Sequence, residues 1–246
     1  MPRYRSTSTS SISFGPGPIS TALKALIGAN VAMFFAQSLF PVLTDLLGLR
    51  AIFVVRNFWF WQLATYMFLH GGLFHILFNM LALWMFGAEL ERVWGTRYFL
   101  KFYFVSGIGA GALTVLFSLL PFGFASQVYI SNVIGASGAI YALLLAYAMY
   151  FPDRLILLII FPVPARIAVT ILGFIAFYSS MGDAGGVANA THLGGLLVGY
   201  LYLKSARMNA LLELRYQYSK WKTGRARRKF DVYAGGRSDD RNPRFH

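Results

Sequence analysis

The sequence predicts an all-α, polytopic membrane protein, a bundle of six transmembrane helices, and three observations carry that expectation. Hydrophobic residues make up 57% of the chain and charged ones only 13%. The mean hydropathy of +0.56 lies above that of a soluble globule. A spanning helix needs roughly 20 mostly apolar residues, fewer where it stops short of one face, and six segments meet that template: 21–39, 73–90, 98–120, 137–151, 166–180 and 189–203. The fourth and fifth are short, and the fourth begins at Ser137. The expected organisation is a cytoplasmic N-terminal segment (1–20), a membrane domain (21–205) and a basic cytoplasmic tail (206–246).

The elements follow in chain order. Residues 2–20 are polar and rich in Ser, Gly and Pro, with no short apolar stretch and cleavage site, so no signal peptide is read there and the first helix is retained. Residues 40–69 form a long outer loop, unusually apolar, with FWFW at 58–61; Trp and Tyr favour the headgroup region, which places this loop partly in the interface. The stretch LILLIIFPVPA (155–165) has two prolines near its end and is expected at the membrane interface rather than as an extension of the fifth helix. Placing both termini in the cytoplasm puts Lys24, Arg92, Arg97, Lys101, Arg154 and Arg166 inside and leaves Arg50 and Arg56 outside, the positive-inside pattern.

The net charge of +13 does not indicate a nucleic-acid partner, because the basic residues cluster at the tail instead of lining a folded surface. Within the tail, KWKTGRARRK (220–229) suits anionic lipid headgroups, and it reads equally as a solvated end of the chain. Cysteine is absent, which excludes disulfides, a thiol nucleophile and Cys-ligated zinc. No cofactor or metal is expected.

Polar side chains inside membrane helices are costly and mark functional sites or buried pairs. His75 and Asn79 lie four apart in HILFN, on one face of the second helix, and both can donate hydrogen bonds. Taken alone, they read as well as an interhelical clamp. Ser137 sits among small residues in IGASGAIY, where a loop gives way to a helix. Gly135 and Gly138 allow a tight turn and close approach of a substrate. The amides of Ala136 and Ser137, at a helix start without intrahelical partners, could hold an oxyanion. GASG by itself would more often be a helix cap. His192 lies in THLGGLLVG, where Gly195 and Gly199, four apart, let another helix approach closely. Together these supply a nucleophile (Ser137), a general base (His192) and oxyanion donors from three helices. Tyr141, one turn after Ser137, can stack on the imidazole; no carboxylate is placed to do so, which points to a dyad.

The motifs HGGLFHILFN (70–79), GASG (135–138) and THLGG (191–195), in this order, resemble the rhomboid intramembrane serine proteases over about residues 20–205. The resemblance implies that Ser137 is the nucleophile and His192 the base, that His75 and Asn79 help form the oxyanion hole, that Gly135 opens the serine motif and that Tyr141 stacks on the catalytic histidine. It makes Glu91 and Arg92 parts of a structural turn and His70 a residue that orders the first outer loop. Gln62 departs from the family pattern, which often has Trp-Arg here, and this puts the loop's anchoring in question. The implied activity is endoproteolysis in or near transmembrane segments of other membrane proteins, within a lipid bilayer, in a bacterial inner membrane; oligomeric state is left open. The competing function is a non-catalytic rhomboid-like scaffold that binds transmembrane helices. A transporter would show an inverted repeat, haem ligation would leave GASG unused, and zinc or aspartyl proteases would need HExxH or facing aspartates. Hydrolysis also needs water, so the loop 121–136 is expected to dip into the bundle. There it would open a cavity lined by His75, Asn79, Ser137 and His192, closed by a Gly-rich lid at 178–189.

Overall fold

The computed structural model describes residues 19–121, 123–158, 161–180 and 189–205. The expected lid falls largely outside them, as do Asp183, the N-terminal segment to residue 18 and the tail from 206.

Helix α1 (Thr21–Leu39) starts at Ser20, whose hydroxyl accepts from Leu23 N at 3.0 Å, the usual N-cap bond. Three short helices follow in the expected first outer loop: α2 (Val42–Leu47), α3 (Ala51–Asn57) and α4 (Gln62–Thr65), the last running into a 3₁₀ turn at Tyr66–Phe68. Helix α5 (Leu73–Trp94) continues a turn past its expected end. It meets α6 (Thr96–Ser118) across a single residue, Gly95, whose φ of +77° suits glycine. Glu91, 6% exposed, accepts from Ser20 Oγ (2.5 Å) and Thr96 Oγ1 (2.6 Å), tying the starts of α1 and α6 to the end of α5.

The loop 121–136 differs from expectation, since half of it forms a helix, α7 (Gly123–Ile130). With no charged residue in GFASQVYI, main-chain groups beside a membrane satisfy one another more cheaply in a helix than in an open loop. Helix α8 (Ser137–Tyr150) follows. The stretch after it is an antiparallel hairpin, β1 (Leu155–Leu158) with β2 (Phe161–Pro164), paired Leu155 to Pro164 and Ile156 to Val163. Pro162 and Pro164 have no N–H, which confines β2 to an edge position. Helices α9 (Ala165–Ser180) and α10 (residues 189–205) complete the described chain.

Among the described residues three helices, α1, α5 and α6, are long and apolar enough to cross a membrane, and α8 and α9 are shorter apolar helices. Large apolar side chains point outward, among them Phe35, Phe74, Phe78, Phe174 and Tyr178. The interior mixes large side chains such as Tyr66, Phe99, Phe102 and Tyr103 with small residues at helix contacts. Helix α8 is the most enclosed, with Gly138, Ala139, Ala142, Ala146 and Ala148 buried, as expected where lipid gives helices no hydrophobic reason to associate and close packing must supply it. The helices to Tyr202 form one compact unit, and residues 203–205 beyond it are helical.

Candidate active site

Ser137 is the first residue of α8. The N-cap is Ala136, and no side chain caps this helix, so Ser137 is not the helix cap that its motif alone would suggest. Its hydroxyl instead lies 2.8 Å from His192 Nε2. The contact is made possible by the crossing of α8 and α10. A Cβ on Gly195 would sit 2.0 Å from the carbonyl oxygen of Gly138, and one on Gly199 would be 2.8 Å from Ala142 Cβ, so any larger residue would hold the helices apart. Thr191, buried beside His192, shares a hydrogen bond of 2.9 Å with Thr114 of α6. The Tyr141 ring stacks on the imidazole, with centroids 4.2 Å apart and planes within 7°. His192 Nδ1 is buried, and no carboxylate or other partner among the described residues reaches it.

The serine loop is held by main-chain bonds. Leu49 and Val133 exchange both N–H···O bonds (2.9 and 2.8 Å), and Gly135 N–H donates to Tyr66 O at 2.9 Å. Asn132 Nδ2 donates to Thr44 O at 3.0 Å. Gly135 has a φ of +124°, and a Cβ there would lie 2.8 Å from His75 Nε2 and 3.7 Å from Ser137 Oγ. The first intrahelical bond of α8 runs from Ile140 N to Ala136 O, which leaves the preceding amides, Ser137's included, without helical acceptors.

His75 Nδ1 accepts from Gly71 N at 3.2 Å, and Asn79 Nδ2 donates to His75 O at 2.7 Å. Asn79 Oδ1 is buried without a partner among the described residues. A cavity of about 260 Å³ opens between α5 and α9, from Ser137, Asn79 and Tyr141 down to Ile156 of β1, walled by Phe78, Phe86 and Leu172. Of the four residues expected to line a cavity, this one has Asn79 and Ser137 in its wall, which is mainly apolar. Sequence reasoning missed the hairpin's part in it: the strand alternation turns Ile156 inward (7% exposed) while Leu155 faces out (61%).

Sequence reasoning also missed Tyr66, and for Gln62 it did not foresee the partners. Tyr66, fully buried, donates from its hydroxyl to Gly107 O at 2.7 Å while its carbonyl holds Gly135. Gln62, also fully buried, accepts from Arg50 N at 3.1 Å and donates to the carbonyls of Leu46 (3.3 Å) and Asp45 (3.4 Å). The doubt raised by a glutamine here is thus answered, because its amide anchors the outer loop. His70 is 1% exposed; burial, and secondly the neighbouring His75 ring, hold its imidazole down to about 4.

Comparison with known proteins places the chain in a family. The model of the Rhomboid domain family matches residues 57–207, more than half of the chain. Rhomboid protein 1, mitochondrial, of Saccharomyces cerevisiae is 35% identical over 184 residues, covering 72% of this chain and 51% of the relative. RHOMBOID-like protein 2 of Arabidopsis thaliana is 33% identical, with 73% and 52% covered. Rhomboid protease AarA of Providencia stuartii is 31% identical over 209 residues, with 76% and 73% covered. The chain thus spans about half the length of the first two and most of the third. Family match, relatives and apolar helices together make this chain an integral membrane protein of the rhomboid family.

Proposed function

We propose that the chain is an intramembrane serine endopeptidase that cuts other membrane proteins in or near their transmembrane segments. The observation that carries the reading is the Ser137 Oγ to His192 Nε2 contact of 2.8 Å, with the ring held flat against Tyr141. In this reading His192 Nε2 takes the hydroxyl proton as Oγ attacks the scissile carbonyl carbon, then delivers it to the departing amine. Water, deprotonated by the same nitrogen, hydrolyses the acyl-enzyme and returns the hydroxyl. The oxyanion is met by the amides at the start of α8 and by His75 and Asn79, whose positions beside Gly135 and at the cavity support that role. Tyr141 orients the ring in place of a carboxylate.

The same reading makes α1, α5, α6, α8, α9 and α10 the six transmembrane helices, with α8 the short one that sets Ser137 below the outer surface. Both termini are then cytoplasmic, residues 1–20 and 206–246 flank the membrane domain, and a bacterial inner membrane is the proposed location. The substrate's cleaved segment enters from the bilayer and must unwind to present its carbonyl. The deciding experiment incubates the purified protein in liposomes with a single-span substrate, wild type beside Ser137→Ala. Cutting that needs Ser137, together with fluorophosphonate labelling of that residue, is the expected result; equal cutting by the variant would reject the mechanism.

A further inference from the structure

Gln37 is a polar side chain within the apolar run AMFFAQSLF of α1, a helix that carries none of the groups assigned to the reaction. An amide at such a place must find partners, and Gln37 finds two on one residue. Its Nε2 donates to His70 O at 2.7 Å, and His70 N donates to its Oε1 at 3.0 Å. A two-point bond of this kind fixes both the position and the rotation of the main chain at His70. The His70 ring is no part of the clamp, as Gln37 bonds only the main chain of His70.

The peptide whose carbonyl Gln37 holds is the consequential one, because its N–H, that of Gly71, donates to His75 Nδ1 at 3.2 Å. A backbone N–H can only donate, so Nδ1 carries the lone pair and the neutral ring carries its proton on Nε2. That nitrogen faces the serine loop, within 2.8 Å of where a Cβ on Gly135 would stand. A free imidazole would divide its proton between the two nitrogens, and only one of the two forms can donate toward Ser137.

We propose that Gln37 is a positioning residue for the reaction: by clamping His70 it holds the Gly71 amide against His75, and so keeps His75 in the Nε2–H form aimed at the forming oxyanion. The inference rests on the reading of His75 as an oxyanion donor. Gly71 and Gly72, which follow the clamp directly, offer little resistance to rotation once it is gone.

The test uses full-length protein in liposomes with ¹⁵N-labelled histidine; the chain has four histidines, and His75 is assigned by the signal lost in His75→Asn. In the wild type, His75 should show a protonated Nε2 and an unprotonated Nδ1. Gln37→Leu, which keeps the side-chain volume and removes both bonds, should show both tautomers, with kcat down about 10-fold from misplacement of one donor and KM unchanged. Gln37→Glu keeps the acceptor for His70 N–H and loses the donor, so it should fall between the two, and it decides alone if Gln37→Leu does not fold. Ser38→Ala is the control, since the Ser38 hydroxyl bonds Phe34 O within α1 (2.8 Å), and it should match wild type. A single unchanged His75 tautomer in the Gln37 variants, or an unchanged kcat, would overturn the proposal. If the wild type neither cuts nor takes up fluorophosphonate, the proposed activity falls instead, and the histidine spectra still decide whether Gln37 sets the tautomer.

Discussion

Ser137→Ala and His192→Ala should each bring cleavage to background with the protein still folded, and the double variant should be no worse than either, because nucleophile and base act as one unit. Gly135→Ala should cost about 100-fold in kcat, a misplacement effect, since the left-handed φ and the nearby His75 ring both oppose a Cβ. Initial rates on one substrate measure all of these. The pH dependence of stability has a sign set by His70. Its folded value is depressed to about 4 from an unfolded value of 6.5, so the stabilisation of the neutral buried ring is present above pH 6.5 and lost as pH falls toward 4. Melting curves between pH 4 and 8 should show that loss, and His70→Phe should flatten it. At this scale the sequence made Ser137, His192 and Tyr141 legible, because each stands in a motif of small residues where a reactive or aromatic side chain is conspicuous. It did not reveal Gln37 or Tyr66, nor the groups that Gln62 bonds. Their partners are backbone atoms distant in sequence, and a bond to a carbonyl leaves no trace in the identity of the residue that owns it.

Helix α10 reaches Ser137 only because α8 lets it. Gly195→Ala should therefore separate Ser137 from His192 and abolish cleavage while helicity by circular dichroism stays intact, whereas Gly28→Ala in α1, where nothing lies within 4 Å of the new Cβ, should retain activity and gain about 0.5–1 kcal/mol from helix propensity. Gln62→Leu acts on the outer loop: it leaves Arg50 N–H and Asp45 O without their amide partner, while Leu46 O keeps Trp61 Nε1, at a cost of about 1–3 kcal/mol, and thermal unfolding in detergent should register the loss. The spacing of Gly195 and Gly199 announced a close helix contact without naming the partner. Helix α7 and the β1–β2 hairpin were not legible, because short apolar runs lack the length that separates strand from helix from loop, and tertiary neighbours decide between them.

For the molecule as a whole, the proposed orientation predicts that a protease added to the outer face spares both termini, and that a reporter on the C-terminus responds only from the inside; the reverse result would refute the helix count or the orientation. Length and hydropathy made the long helices readable from composition, since lipid imposes that signature on any chain that crosses it. The path by which the outer loop reaches the serine loop was unreadable, because it runs through main-chain pairs. Those pairs have a consequence in time. The amides of Val133 and Gly135, in a stretch with little regular structure, are bonded to Leu49 and Tyr66, residues that belong to a different part of the chain. They cannot exchange their hydrogens for deuterium by local fraying; the outer loop must let go first. In a deuterium-exchange experiment the segment just before Ser137 should therefore exchange as slowly as a helix, and at the same rate as Leu49, so that its mass gain becomes a clock for the opening of the outer loop.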